Sequence, residues 1–213
     1  MRLHSLSLLV VLVGCRGVTA QAHDDAPKAS SVAGPVGTDP GHAGAGTPLT
    51  PRAGHSLAAF AAGCFWGVED GFRKVKGVTA TTVGYTGGHT KDPTYESVCS
   101  HGTGHAETVL VEFDPQVVSY DKLLRVFFAI HDPTQLDQQG PDVGDQYRSE
   151  VFVFDDAQKT AAEAAKEQAK KQHGNVVTRI SRIGPFWIAE GYHQQYAEKN
   201  GAHGCAVKVP ESI

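Results

Sequence analysis

Apolar positions change their rhythm several times between residue 56 and the C-terminus, and each change marks an element. Leu57–Ala62 is a short unbroken apolar run bounded by Gly63, which predicts a buried strand. After Cys64, Val68, Phe72 and Val75 recur at helical spacing until Gly77. Val78–Gly84 reads as a second strand, closed by Gly87-Gly88, and 92–104 as a turn-rich or short helical stretch. Residues 106–113 alternate. Glu107, Val109, Val111 and Phe113 share one face, and Ala106, Thr108, Leu110 and Glu112 share the other. A carboxyl group among three large apolar side chains is costly unless it has a task.

Ser119–His131 predicts a helix with Leu123, Leu124, Phe127 and Phe128 as its apolar stripe. Glu150–Phe154 predicts a strand. Asp155 and Gln158 read as a capping pair for a polar, Ala-rich helix ending near His173-Gly174, with Glu167 and Lys171 as an i,i+4 ion pair on it. Val176–Ile183 predicts a last strand and Glu190–Asn200 a short helix. A flexible, glycine-containing C-terminal tail then carries Cys205. Strands and helices mix without strict βαβ repetition, so the expected class is α+β in two layers.

The N-terminal quarter has a different character. Arg2 precedes an apolar stretch, Leu3–Val13, too short to anchor stably across a bilayer, and residues 1–20 read as an export signal. Leu12-Val13-Gly14-Cys15 resembles a bacterial lipoprotein signal, with Cys15 as the lipidated first residue. Val18-Thr19-Ala20 offers an alternative small-residue cleavage site that leaves Gln21 first. The lipoprotein reading is favoured because the cysteine follows the apolar run directly. Residues 21–55 carry five prolines and almost no large apolar side chains, which predicts a flexible tether. The folded domain is therefore expected at 56–213, in the bacterial cell envelope or periplasm.

Composition narrows the chemistry. The 213 residues carry a formal charge of -4 and show no basic face, which argues against nucleic acid as a partner. Cysteines occur only at 15, 64, 99 and 205, so there is no C-x-x-C pair for a thioredoxin-type motif or a zinc ribbon. Cys64 stands out among them. A strand that ends at Gly63 and turns into a helix leaves the Cys64 thiol at a helix N-terminus, where the dipole and free N–H groups favour a thiolate. Phe65 and Trp66 supply an apolar wall of a size that suits a methyl group.

Seven motifs then fall in order: Gly63-Cys64-Phe65-Trp66-Gly67, Gly84-Tyr85-Thr86-Gly87-Gly88, Pro93-Thr94-Tyr95, Gly104-His105-Ala106-Glu107, His131-Asp132-Pro133, Gln146-Tyr147-Arg148-Ser149 and His193-Gln194-Gln195-Tyr196. Together they resemble the A-type peptide-methionine sulfoxide reductases over about residues 56–205. The resemblance implies a ferredoxin-like α+β core. It also implies thiol-dependent reduction of the S-epimer of methionine sulfoxide, free or in proteins, with thioredoxin or a thioredoxin-like protein as electron donor and neither metal nor organic cofactor. Carried over residue by residue, it makes Cys64 the nucleophile, Glu107 the acid, and Tyr95 and Tyr147 donors to the sulfoxide oxygen. Asp142 becomes a substrate-orienting carboxylate, and Phe65 and Trp66 the methyl pocket. Cys205 becomes the cysteine that resolves a Cys64 sulfenic acid into a disulfide. Burial among Val109, Val111 and Phe113 is expected to keep a proton on Glu107. No cysteine follows Cys205, so a one-disulfide cycle is expected, and Cys99 is read as a spectator thiol. A monomer is expected.

Two other classes share part of this pattern. His101 and His105 are four apart near Cys99, and His203 neighbours Cys205, a spacing that allows a metal-binding module, but these histidines sit in glycine-rich, non-helical contexts. A thiol peroxidase would also cycle through a sulfenic acid. Metal content and activity on hydrogen peroxide separate these readings from the reductase.

Overall fold

The structure, a computed structural model, describes residues 50–201 and 207–210; Cys15, Cys205 and the expected export signal lie outside them. β1 (Ser56–Ala62) leads through Gly63 and Cys64 into α1 (Phe65–Arg73), then β2 (Val78–Thr86), α2 (Tyr95–Cys99), β3 (Ala106–Phe113) and α3 (Tyr120–Ile130). A small hairpin of β4 (Gln138–Gln139) and β5 (Asp142–Val143) follows, with a 3-10 turn at Asp145–Tyr147. β6 (Ser149–Val153), α4 (Asp156–His173), β7 (Arg179–Arg182), β8 (Trp187–Ile188) and α5 (Tyr196–Asn200) complete the order.

The main sheet runs β7-β6-β1-β3-β2-β8. Within it β1 pairs antiparallel with β3 and β6, β2 with β3 and β8, and β6 parallel with β7. The sequence β1-α1-β2-β3-α3-β6 in the spatial order β6-β1-β3-β2 is a ferredoxin-like core, with β7 and β8 added at its two edges. The α+β expectation therefore holds, and the sheet is mixed.

One sheet face carries the larger core. Phe60, Val83, Val109, Val111 and Val151 meet Val68 and Phe72 of α1, Leu124 and Phe127 of α3, and Ala162 of α4. Phe60 stacks on Phe72 at 4.8 Å and on Phe127 at 5.4 Å between ring centroids, which locks α1 and α3 against β1. The opposite face is also covered. Leu57, Ala59, Leu110 and Phe152 pack with Ile183 and Phe186 from the segment after β7. Every residue of β3 is buried for this reason, even though its sequence alternates.

Helix starts follow local chemistry. The Ser119 hydroxyl accepts from the Lys122 amide at 3.2 Å and the Asp155 carboxylate from the Gln158 amide at 2.7 Å, each worth about 1 kcal/mol. The expected reciprocal half of the Asp155–Gln158 pair differs. The Gln158 side chain takes the Phe154 N–H and donates to the Leu57 carbonyl, tying α4 to β1. Glu167 pairs with Lys170 at i,i+3 rather than with Lys171, since both positions neighbour it on a helix. The last long strand is shorter than its apolar run, Arg179–Arg182, and the expected helix at 190–200 begins only at Tyr196. Among the described residues no helix is long and apolar enough to cross a membrane.

Candidate active site

β1 ends at Ala62, and Gly63 turns the chain with φ +96, a left-handed region that strains any other residue. A side chain at Gly63 would also fall 2.7 Å from Cγ of Gln139. The turn leaves Cys64, half-buried, as the residue capping the N-terminus of α1, where the free amides and the dipole favour a thiolate.

The first amide of that helix does not go to solvent. Phe65 N–H donates to Oε2 of Glu107 at 3.0 Å, across 42 residues of chain. Glu107 is 2% exposed and sits on β3 directly opposite Tyr85 of β2. It therefore stands beside Cys64, on the face it shares with Val109, Val111 and Phe113.

The aromatic wall is built from three segments. Phe65 is buried, with its ring 5.9 Å from Tyr85 and 5.0 Å from His193. Trp66 is half-buried, stacks on Tyr196 at 3.8 Å, and donates its indole N–H to Nδ1 of His193 at 2.9 Å. Tyr95, first residue of α2, lies 4.6 Å from the His193 ring. The Glu190 carboxylate fixes two members of this wall. It accepts the Tyr95 amide at 2.8 Å and the Tyr85 hydroxyl at 3.0 Å. Burial and the Glu190 and Glu107 charges push the Tyr85 phenol up, so it stays a donor.

His193 is fully buried, and burial pulls it down to about 4, so it is neutral at neutral pH. Its Nδ1 accepts from Trp66, which places its proton on Nε2, and Nε2 lies 3.6 Å from Glu190 Oε2. The rest of this motif also clamps. Gln194 takes the Val83 N–H and returns a bond to the Val83 carbonyl, both at 2.9 Å, extending the pairing of β2 past the end of β8. Gln195 gives its amide and its side-chain N–H to buried Glu69 of α1 at 2.8 and 3.0 Å.

The β4–β5 hairpin closes the other side. Gln139 packs its stem on Gly63, while its amide pairs both with the Asp132 N–H at 3.1 Å and with the Asp132 carbonyl at 3.0 Å. Asp142 is the cross-strand partner of Gln139, so it shares the face turned to Gly63. It is half-buried, and burial raises its carboxyl. Tyr147 ends the following 3-10 turn, which packs against β3, and is 8% exposed. Next to it Arg148 bonds Glu150 at 2.6 Å and the Asp145 carbonyl at 2.9 Å, which holds that turn in shape.

Of the residues expected from sequence, Cys64, Phe65, Trp66 and Glu107 meet at one helix terminus, Tyr95 joins through His193, and Asp142 through Gln139. Tyr147 lies on the β3 side of the site. Cys99 ends α2, half-buried. Glu190 and Glu69 give no local signal because their partners are remote in sequence, and Gln139 gives none because the residue its stem packs on, Gly63, is remote. His193 and Gln195 belong to the His193-Gln194-Gln195-Tyr196 motif, which by itself assigns them no role. Among the described residues no three His, Cys, Asp or Glu side chains group as a metal site would need.

A thiol at a helix N-terminus, a buried carboxyl on the adjacent amide and an aromatic pocket define a thiol-dependent redox site on a ferredoxin-like core. The family model described as "Peptide methionine sulfoxide reductase" matches residues 56–213, and the chain belongs to that family. It is 58% identical over 154 residues to the peptide methionine sulfoxide reductase MsrA of Methanosarcina mazei, covering 71% of this chain and 73% of that one. Among solved structures, reduced Mxr1 from Saccharomyces cerevisiae superposes with TM-score 0.71 at 37% identity, covering 75% of this chain and 94% of the other. Mxr1 in complex with Trx2 gives TM-score 0.53 at 26% identity, over 78% of this chain and 96% of that one. The protein is thus an oxidoreductase that reduces peptide methionine sulfoxide.

Proposed function

We propose that the chain reduces the S-epimer of methionine sulfoxide, free or in proteins, through a sulfenic acid on Cys64, and so repairs oxidised proteins. The observation that carries this reading is the Phe65 N–H bond to Glu107, which sets the acid and the thiol at one helix terminus. That carboxyl is buried beside the thiol and held in place by the amide. A carboxyl group in this position can hand a proton to the reacting oxygen and regain one in each cycle.

Cys64 sulfur attacks the sulfoxide sulfur as the Glu107 proton passes to the sulfoxide oxygen. The oxygen ends on Cys64 as a sulfenic acid, the S–O bond of the substrate breaks, and methionine leaves. Tyr95 and Tyr147 donate to the oxygen, Phe65 and Trp66 enclose the methyl group, and Asp142 orients the substrate backbone. The Cys205 thiol then condenses with the sulfenic acid, forming the Cys64–Cys205 disulfide and water. A thioredoxin-like dithiol reduces that disulfide and is itself oxidised. The Mxr1–Trx2 complex supports this choice of reductant.

Two variants test the scheme. Cys64→Ser should release no methionine. Cys205→Ser should release about one methionine per enzyme and then stop with thioredoxin as donor. Full multi-turnover activity of the second variant would remove Cys205 from the cycle, and faster reduction of hydrogen peroxide than of methyl sulfoxides would replace the reaction. We also propose export to the bacterial envelope as a monomer, with a lipid anchor on Cys15. Mass spectrometry of the mature N-terminus separates lipidated Cys15 from free Gln21, and sedimentation gives the oligomeric state.

A further inference from the structure

The helix that carries Tyr95 is too short to place itself. α2 has five residues, and Val98 is its one buried member. So short a helix is marginal on its own, and its position is set by what it touches. Thr94 and Ser97 close a reciprocal cap on it, at 3.2 and 2.9 Å. Both belong to the same turn, so they shape the helix without placing it.

Glu190 supplies a link to the rest of the fold. Its Oε1 accepts the Tyr95 amide at 2.8 Å, across 95 residues of chain, and its Oε2 accepts the Tyr85 hydroxyl at 3.0 Å. Tyr85 is fully buried on β2, directly opposite Glu107. The base of this bridge is fixed as well. Ala189 N–H donates to the Val83 carbonyl at 3.0 Å, which seats the residue before Glu190 on β2. The Glu190 carbonyl accepts the His193 amide at 2.9 Å and closes a turn, and the Gln194 side chain donates to the Ala189 carbonyl at 2.9 Å. Glu190 is thus tied to β2 at both ends, its backbone through Val83 and its carboxylate through Tyr85. The same turn carries His193, whose ring lies 4.6 Å from that of Tyr95. Tyr95 is held at two points, amide and ring, by one short segment.

We propose that Glu190 is the positioning residue for Tyr95, tying its amide to the frame of β2 and so setting where the Tyr95 hydroxyl meets the sulfoxide oxygen. Glu190 works through Tyr95 and does not touch the substrate. The inference rests on the proposed role of Tyr95 as a donor to that oxygen. Reach matters for this task and charge does not, because a glutamine oxygen at the same point also accepts an N–H. A group misplaced by about 1 Å can cost on the order of 100-fold in rate. Tyr147 still donates to the same oxygen, so about tenfold is expected here. The loss falls on the step that breaks the S–O bond, where charge develops on oxygen. Phe65 and Trp66 stay on α1 and go on binding the methyl group.

Glu190→Asp, Glu190→Gln and Tyr95→Phe test it, each in the full chain. Reduced enzyme is mixed with excess methionine sulfoxide peptide and no reductant, and the first-turnover release of methionine is followed by rapid quench at several peptide concentrations. The rate constant of that burst, unlike its amplitude, does not depend on the fraction of folded enzyme, so loss of stability alone leaves it unchanged. Glu190→Asp keeps the charge but is one methylene short. It should slow release about tenfold at saturating peptide, with the half-saturating concentration within about twofold of wild type. Glu190→Gln loses the charge but keeps the reach, and should stay close to the wild-type rate. Tyr95→Phe should slow release, and adding Glu190→Asp to it should slow release no further. A wild-type rate for Glu190→Asp, a Glu190→Gln as slow as Glu190→Asp, or a further tenfold loss in the double variant overturns the positioning role and leaves Tyr95 a donor. A wild-type rate for Tyr95→Phe overturns the donor reading, and the positioning role with it.

Discussion

The amide of Phe65 and the carboxylate of Glu107 lie 3.0 Å apart, so the helix that presents Cys64 is held at its first residue by the group proposed as its acid. Position of the nucleophile and delivery of the proton are thereby coupled through one side chain. Glu107→Gln separates these tasks, because a glutamine carbonyl still accepts the Phe65 N–H while its amide cannot act as an acid. The methionine-forming step should slow by about 100-fold with little change in melting temperature. An unchanged single-turnover rate would exclude the acid role.

Trp66 has two duties, the stack on Tyr196 and the bond to His193. Trp66→Phe keeps an aromatic ring but leaves Nδ1 of a fully buried imidazole without its donor. The expected loss of stability is about 1–3 kcal/mol, read by denaturant unfolding. The KM for a methyl sulfoxide should rise more than kcat falls, since the methyl wall loses its fixed orientation.

Gly63 and Gln139 are coupled by contact. Gly63→Ala meets both the positive φ and the Gln139 stem, so about 2 kcal/mol of destabilisation is expected. Gln139→Ala leaves both backbone groups of Asp132 without their side-chain partner, at about 1–3 kcal/mol. The double variant relieves the clash and should be less destabilised than the sum by about 1 kcal/mol. Strict additivity in unfolding experiments would mean that the hairpin does not bear on the Cys64 turn.

His131 gives the fold a pH dependence with a definite sign. Its Nδ1–H donates to the Phe127 carbonyl and its Nε2 accepts from the Ser149 hydroxyl, each at 2.7 Å, which defines the neutral tautomer. Burial pulls it down from 6.5 to about 4. Above about pH 6.5 neither folded nor unfolded chain is protonated there. Between about 6.5 and 4 the unfolded chain binds a proton that the folded chain refuses, so stability falls on acidification, by up to about 3 kcal/mol. Denaturant unfolding at pH 7 and pH 5 should show the loss, and His131→Gln should be weaker at pH 7 with a shallower slope.

The legible elements were those whose signal is local. The buried run of β1, the alternation of β3, the stripe of α3 and the Asp155 cap each follow from a few neighbouring residues. The hairpin at 138–143 and the edge strand Trp187–Ile188 were not legible, because two-residue strands exist only through the partners they pair with. The segment 190–195 reads as helix by composition. Its glutamines instead spend their amides on Val83 and Glu69, and no local pattern announces that.

The sequence by itself determined the α+β class, the position of Cys64 at a strand-to-helix turn, the odd carboxyl at Glu107 and, through its seven motifs, the family. Those are properties of short segments, and short segments are governed by periodicity, turn chemistry and capping. Tertiary structure alone decided which donor meets which acceptor across the site. Phe65 reaches Glu107 over 42 residues and Trp66 reaches His193 over 127, while Val207 settles on Gly71 at the far end of the chain. Such pairs form because burial leaves each polar group, and each gap, a single partner within reach, and that choice is made only when the whole sheet and its helices have packed.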